Sequence, residues 1–305
     1  MTDNQPFKSG FVAVVGRPNA GKSTLVNALV GAKVAIVTPV AQTTRNRILG
    51  VVNRPGAQIV LMDTPGIHRP LHRLNEQMMR TVRDSIEERD LVLFIVDASA
   101  RFGKGDEFAV NLVSQFRPRA VLLLNKIDQV RKPSLLPLMD RYAKLYPFEA
   151  LIPISALSRE GLEEVLKAAI KALPDGPRYF PSDLYTDQSE RFLAGELIRE
   201  KVIQQTREEL PYATAVAVEE FQVDSALTRI RASILVEKES QKPILIGAAG
   251  GRIKLIGTEA RRELEKVFPP KVFLHLQVKV EPGWRNDRAV LARLGYGREG
   301  EGTPE

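Results

Sequence analysis

Gly16-Arg-Pro-Asn-Ala-Gly-Lys-Ser23 follows directly on the apolar run Phe11 to Val15 and leads into the helical stretch Thr24-Leu-Val-Asn-Ala-Leu-Val30. A G-x-x-x-x-G-K-[ST] pattern with a strand before it and a helix after it is the context in which a phosphate-binding loop forms. Gly16 and Gly21 let the backbone N–H groups of the loop face phosphates at the positive end of a helix, and Arg17, Pro18, Asn19, Ala20 and Thr24 complete the lining. Lys22 reaches the β- and γ-phosphates, and the Ser23 hydroxyl takes a Mg²⁺ position.

The chain on either side extends this unit into a doubly wound α/β domain. Gln58 to Met62, Leu91 to Val96, Ala120 to Leu124 and Leu151 to Ile154 are short apolar runs separated by stretches long enough for crossover helices. That order predicts a mostly parallel sheet covered on both faces, with Arg47 to Val52 as an antiparallel edge strand. Each further motif sits at the carboxyl end of one of these strands, where open α/β sheets bind ligands. Asp63-Thr-Pro-Gly66 lies some forty residues after the loop, so Asp63 can hold Mg²⁺ through water and the Gly66 N–H can meet the γ-phosphate. Asn125-Lys126-Ile-Asp128 selects the base. An aspartate at 128 accepts from both N1–H and the exocyclic amine of guanine, donors that adenine lacks. Ser155-Ala156 supplies a backbone N–H for the guanine carbonyl oxygen. GTP and GDP are therefore the expected nucleotides.

The stretch Leu173-Pro-Asp-Gly-Pro-Arg-Tyr-Phe-Pro181 breaks regular structure, so the predicted organisation is a nucleotide domain over 8–173, a linker over 174–186 and a second domain over 187–294. The glycine- and glutamate-rich residues 295–305 read as a disordered tail. In the second domain Asp187 and Glu190 suggest a capping box opening a helix to about Thr206. Strands over 213–221 and 228–237, a short helix to Gly247, a helix over 251–267 and a strand over 272–280 complete an α-β-β-α-α-β order, a smaller α+β domain. Gly247-Ala248-Ala249-Gly250 falls between the two helices, where side-chain-free glycines admit a nucleic-acid backbone.

Charge agrees with an anionic partner. Residues 1–180 carry 25 basic and 17 acidic groups, whereas 238–293 carry 12 basic and 6 acidic within a second part that is otherwise acidic. With alanines at 248 and 249, Arg252 and Lys254 are the expected phosphate contacts, with Lys242 as a further candidate. No apolar run exceeds the six residues of Leu91 to Val96, too few for a membrane span, and no signal peptide opens the chain. The absence of cysteine removes disulfides and thiolate chemistry and fits a reducing cytoplasm. The basic surface keeps peripheral contact with the inner face of a membrane open, although no basic amphipathic helix stands out. No feature points to a stable protein partner.

The nucleotide motifs, Gln42-Thr43-Thr44-Arg45, Asp63-Thr-Pro-Gly-Ile-His68 and the whole second domain resemble the Era family of GTPases, whose second domain is of the bacterial KH type. The resemblance spans about residues 8–296. It implies a Ras-like P-loop GTPase that binds the 3′ end of small-subunit ribosomal RNA and assists maturation of the small subunit. It assigns the Mg²⁺-closing switch threonine to Thr44, with Thr43 as the alternative, and makes Lys22, Thr44, Gly66 and Asn19 the catalytic set. Ile67 stands where Ras-like GTPases carry the glutamine that orients water, and relatives sharing Asn19 use it as a ligand for K⁺; the rival role for Asn19 is to stabilise the loop turn. A tRNA-modifying GTPase shares Asn19 and the Thr-Thr-Arg string but needs a catalytic cysteine that this chain lacks. A constitutive RNA chaperone with structural GTP is the non-enzymatic alternative. Trp284 reads as a domain anchor in preference to a base-stacking residue.

Overall fold

The first unit is built on strands whose residues are buried on both faces. The computed structural model describes residues 6–268 and 271–296. They pack as two units, the first from residues up to Ala35, Thr44–Pro70 and Met78–Asp187, the second from Ile36–Thr43, Leu71–Gln77 and the residues from Gln188 on. In chain order the elements up to the first unit's end are β1 (Lys8–Val15), α1 (Lys22–Val30), β2 (Ile48–Arg54), β3 (Ala57–Asp63), α2 (Arg73–Glu87), β4 (Leu91–Asp97), α3 (Lys104–Ser114), β5 (Ala120–Asn125), α4 (Leu135–Leu145), β6 (Ala150–Pro153) and α5 (Leu162–Ala172).

The strands form one sheet in the order β2-β3-β1-β4-β5-β6, parallel except for β2, which pairs antiparallel with β3 at the edge as expected. Alternate residues go to opposite faces. Val12, Val14, Ile59, Leu61, Leu93 and Ile95 pack with Leu25 and Val26 of α1 and Val165 and Leu166 of α5. Ala13, Val15, Val60, Met62 and Phe94 pack with Val82 and Ile86 of α2, Val110 of α3 and Tyr142 of α4. Two apolar layers on one sheet explain why the strands read as continuous hydrophobic runs and not as an alternating pattern.

The proline-rich stretch is bound along the first unit. Pro174 O accepts from Ser9 N (3.1 Å), Gln58 Oε1 accepts from the N–H groups of Tyr179 (2.8 Å) and Phe180 (2.9 Å), and Tyr185 O accepts from Val51 N (2.9 Å). Prolines prevent a regular ladder inside the stretch, so its backbone groups find partners on the neighbouring strands.

The second unit contains α6 (Glu190–Gln204), α7 (Leu210–Ala213), β7 (Ala215–Val223), β8 (Thr228–Val236), α8 (Lys242–Ile246), α9 (Gly251–Val267), β9 (Val272–Val280) and α10 (Arg288–Arg293). The sheet order is β7-β8-β9, with β7 and β8 antiparallel and β8 and β9 parallel. One face, with Ile230, Ala232, Ile234 and Val278, is covered by Leu197 and Ile198 of α6 and Ile256, Ala260 and Leu264 of α9. The cap of α6 is Ser189, whose side chain accepts from Phe192 N, and not Asp187. A serine one residue before Glu190 satisfies an orphan N–H directly. The short α7 and α10 span too few residues to give a periodic signal.

Gly295 and Tyr296 follow α10, and Tyr296 is buried; the remainder of the expected tail, 297–305, lies outside the described residues. Trp284 is 0% exposed, and its indole N–H donates to Ala213 O (2.9 Å), so it anchors the second unit. Trp284→Ala should destabilise that unit by about 3–5 kcal/mol, and Trp284→Phe by about 1 kcal/mol through the lost hydrogen bond. Denaturation followed by far-ultraviolet circular dichroism measures both, and nucleotide binding below the transition should be unchanged.

Candidate functional site

Parallel pairing places Val14 of β1 opposite Asp63 of β3, so the loops that leave their carboxyl ends start side by side. Ser23 Oγ donates to Asp63 Oδ2 (2.6 Å) and lies 2.8 Å from Thr44 Oγ1, which is 3.4 Å from the same carboxylate oxygen. Asp63 is fully buried, and its Oδ1 has no hydrogen-bond partner. Burial pushes its carboxyl up to about 6, against hydrogen bonds from Ser23 and Thr44 and the nearby Lys22 charge. Three hard oxygen donors around an unpaired buried carboxylate oxygen are the donor set that Mg²⁺ satisfies. Thr43 is turned elsewhere: its hydroxyl lies 2.5 Å from Thr38 Oγ1 and 2.8 Å from Val40 O.

Lys22 is buried at the start of α1, and its ammonium donates to the carbonyls of Gly16 (3.2 Å) and Arg17 (2.9 Å). Burial lowers its pKa to about 8, with Asp63 acting in the opposite direction. An ammonium hydrogen-bonded to neutral carbonyls is ready to exchange them for phosphate oxygens. Arg17 directs its guanidinium to Asp106 of α3 (2.7 Å), and Pro18 lies against Gly66, whose added Cβ would stand 2.7 Å from Pro18 N. Asn19 takes φ 61 at the loop turn, a left-handed conformation that asparagine tolerates better than most residues. Gly21 has φ 98, and a Cβ there would fall 2.2 Å from Asn125 Nδ2, so both conformation and space require glycine. Thr24 lies in the first turn of α1.

Beyond Gly66, Ile67 is 2% exposed, and its N–H donates to Gly16 O (2.9 Å). This position offers no side-chain polar atom to a water. His68 Nδ1 lies 2.8 Å from Gly66 O, and burial lowers the pKa of its imidazole.

Asn125 joins the loops expected to read the base to the phosphate loop. Its Nδ2 donates to Ala20 O (2.8 Å), and its Oδ1 accepts from Ala156 N (2.9 Å). The Ala156 N–H expected at a guanine carbonyl is therefore engaged by the asparagine, because a buried N–H takes the nearest acceptor. Ser155 Oγ donates to Asp128 Oδ1 (2.6 Å), a contact the motif does not reveal, and it fixes the carboxylate expected to read the base. Lys126 Nζ is paired with Asp97 Oδ2 (2.6 Å) at the end of β4. No sequence motif singles out Asp97; its one signal is that it is the charge ending the Leu91 to Val96 run, one strand over from Asn125.

In the second unit the four residues 247–250 link α8 to α9. Gly247 has φ 74, and a Cβ there would lie 2.8 Å from Arg252 Cβ; Gly250 also has φ 74, with open space where its Cβ would be. Ala248, Ala249 and Lys254 are exposed, next to the exposed Ile244 and Leu255. The Arg252 guanidinium donates to Ile244 O, so it braces the loop from α9.

The model of the 50S ribosome-binding GTPase family matches residues 11–126, and that of the KH domain matches 209–285. The chain is 49% identical over 292 residues to GTPase Era of Syntrophus aciditrophicus, covering 95% of each chain. It is 47% identical over 298 residues to GTPase Era of Geobacter metallireducens, covering 97% of this chain and 100% of that protein. A crystal structure of Era in complex with MgGDPNP and nucleotides 1506-1542 of 16S ribosomal RNA is 41% identical and superposes with a TM-score of 0.92, over 95% of this chain and 99% of that chain. A single-substitution variant of Aquifex aeolicus Era bound to GDP.AlF4- superposes with a TM-score of 0.91, at 41% identity and over 95% of this chain and 99% of that chain.

Asp128→Asn should move preference from GTP to xanthosine triphosphate, since the amine donor at position 2 of the base becomes a carbonyl acceptor. Ser155→Ala, which frees the same carboxylate, should weaken GTP and GDP equally by about fivefold, near 1 kcal/mol for one hydrogen bond. Equilibrium titration with fluorescent nucleotides measures both; unchanged GTP affinity in Asp128→Asn removes Asp128 as the base reader.

Proposed function

The chain belongs to the Era family of GTPases, and from that premise we propose a GTP-hydrolysing switch whose KH unit binds single-stranded RNA at the 3′ end of small-subunit ribosomal RNA during maturation of that subunit. The observation that carries the reading is one chain holding both the Ser23, Thr44 and Asp63 convergence and a G-x-x-G loop with left-handed glycines between α8 and α9. The Era structure with MgGDPNP and a 16S segment supports the choice of RNA. Among the described residues no helix is long and apolar enough to cross a membrane. The proposed working place is the cytoplasm, with any membrane contact peripheral.

The chemistry is GTP to GDP and phosphate. Asn125, Lys126, Asp128 and Ser155 hold the guanine end, while the loop from Gly16 to Ser23 holds the phosphates, so the γ-phosphate is presented to water in a fixed place. Ser23, Thr44 and Asp63 would hold Mg²⁺, which when bound neutralises charge building on the phosphate oxygens. Lys22 releases the carbonyls of Gly16 and Arg17 to pair with those oxygens. Gly66 admits the switch backbone to the phosphate loop, and the buried Ile67 leaves the orientation of water to other groups. To Asn19 we assign the role of a K⁺ ligand, because it carries a hard amide oxygen and stands at the left-handed turn of an exposed stretch of the phosphate loop. Thr44, and not Thr43, is the switch residue in this reading.

If Asn19 recruits K⁺, turnover at fixed Mg²⁺ should rise when Na⁺ is replaced by K⁺, and Asn19→Ala should erase the difference; equal steady-state rates in the two salts would remove the assignment. A tenfold loss corresponds to ~1.4 kcal/mol of transition-state stabilisation.

Gly250→Asp tests the RNA clamp. The site has room for the side chain, and aspartate tolerates a left-handed backbone, so the variant should fold while repelling phosphate. Binding of a single-stranded 3′-end oligonucleotide should be lost and GTP affinity kept. Lys254→Ala should weaken all sequences alike and lower the salt dependence of binding. Retained RNA affinity in a natively melting Gly250→Asp protein would overturn the KH reading.

A further inference from the structure

Arg17, the second residue of the phosphate-binding loop, directs its guanidinium onto the first turn of α3, where Nη1 lies 2.7 Å from Asp106 Oδ2. The Asp106 side chain is 9% exposed and takes two further donors, Gly103 N at 2.9 Å on Oδ2 and Tyr142 Oη at 3.0 Å on Oδ1. Burial, with the Asp106 charge beside it, raises the Tyr142 phenol far above its ordinary pKa, so its hydroxyl stays a donor to the carboxylate. Gly105 makes room for the contact: a Cβ there would stand 2.8 Å from Arg17 Nε and 2.9 Å from its Cζ. A glycine in a helix gives up propensity, and here the space it leaves is taken by the guanidinium.

The backbone of Arg17 carries contacts inside the loop. Its carbonyl oxygen accepts from Lys22 Nζ (2.9 Å) and from Ala20 N (3.4 Å), the second bond closing the turn Arg17-Pro18-Asn19-Ala20. Proline at the second position and the positive φ of Asn19 at the third suit a type II turn. Proline also confines the residue before it to an extended ψ. With that ψ confined by Pro18 and the Arg17 side chain tied to Asp106, the Arg17 carbonyl keeps one orientation, and the turn starts from it. All of these residues lie in the first unit.

We propose that Asp106, supported by Gly105 and Tyr142, is a positioning residue for nucleotide binding: through Arg17 it fixes the opening turn of the phosphate loop, so that the Lys22 ammonium and the loop N–H groups meet the phosphates in a preset arrangement. The inference rests on the reading of Lys22 as a phosphate contact. A preset loop needs no ordering when phosphate arrives. GTP and GDP share the α- and β-phosphates that such a loop cradles, so both gain alike.

The test compares full-length proteins by equilibrium titration with fluorescent GTP and GDP and by thermal melting without nucleotide. Asp106→Asn keeps an acceptor for Gly103 N and removes the charge facing Arg17, so affinity for both nucleotides should fall about fivefold. Arg17→Met should cost about as much, and the two changes together less than twofold more than either alone, because both act through one contact. Arg17→Lys keeps a cation for the carboxylate and should recover most of the loss. In Gly105→Ala the helix gains propensity while the new methyl displaces the guanidinium, so the melting temperature should hold or rise as both affinities fall several-fold. A role for Asp106 in stability alone would not separate the two readouts.

Parental affinities in a folded Asp106→Asn protein overturn the proposal, as does a fully additive loss with Arg17→Met. If Asp106→Asn fails to melt cooperatively, Gly105→Ala decides, and parental affinities there overturn the brace. Parental GTP affinity in Lys22→Ala would instead overturn the reading of Lys22.

Discussion

Parallel pairing of β1 with β3 is the constraint on which the nucleotide site depends. The two strands are not consecutive, since β2 lies between them in sequence and at the sheet edge in space. Their register sets Val14 beside Asp63, and each strand then has one residue or none before its loop begins. The phosphate-binding loop and the Asp63 loop are thus neighbours by backbone hydrogen bonding, before any side chain is considered. The apolar layers on both faces hold that register, because a slip by one residue would exchange the two faces. Burial at the junction raises the Asp63 carboxyl to about 6, a desolvation cost that a cation at its oxygens would offset.

The same sheet places the loops proposed to read the base. β4 and β5 end together, with Asp97 opposite Asn125, and Asn125 reaches back to Ala20 and across to Ala156. One amide side chain therefore links three loops that are far apart in sequence. Removing that side chain would leave buried N–H and C=O groups unpaired, at about 1–3 kcal/mol each, so the asparagine supports loop geometry as well as any base contact.

In the second unit a three-stranded sheet with one covered face supports a loop made of small residues. Gly247 and Gly250, both at positive φ, shape it, and Arg252 braces it through Ile244 O, leaving Lys254 as the exposed cation among the expected phosphate contacts. Charge at this loop is therefore sparser than the basic excess of 238–293 suggests. The buried Glu196, Arg199 and Glu200 of α6 form a second polar centre whose backbone partners are Thr43 and Val37.

The α/β class, the edge strand, the α-β-β-α-α-β order and the nucleotide motifs are legible in the amino-acid sequence. Each of these is written in local periodicity or in residue types whose chemistry does not depend on distant neighbours. The family resemblance puts Thr44 before Thr43, but spacing and residue type do not separate them, because adjacent identical residues differ only in the direction their side chains take. The tertiary structure separates the two side chains, binding the Thr43 hydroxyl to Thr38 and Val40 and turning Thr44 to Ser23. The binding of residues 174–187 to the first unit, the pairing of Asp97 with Lys126, the grip of Ser155 on Asp128 and the capture of the 36–43 segment by α6 belong to the same category. All are hydrogen bonds between groups far apart in the chain, whose proximity exists only once the sheets have closed and buried donors must find acceptors.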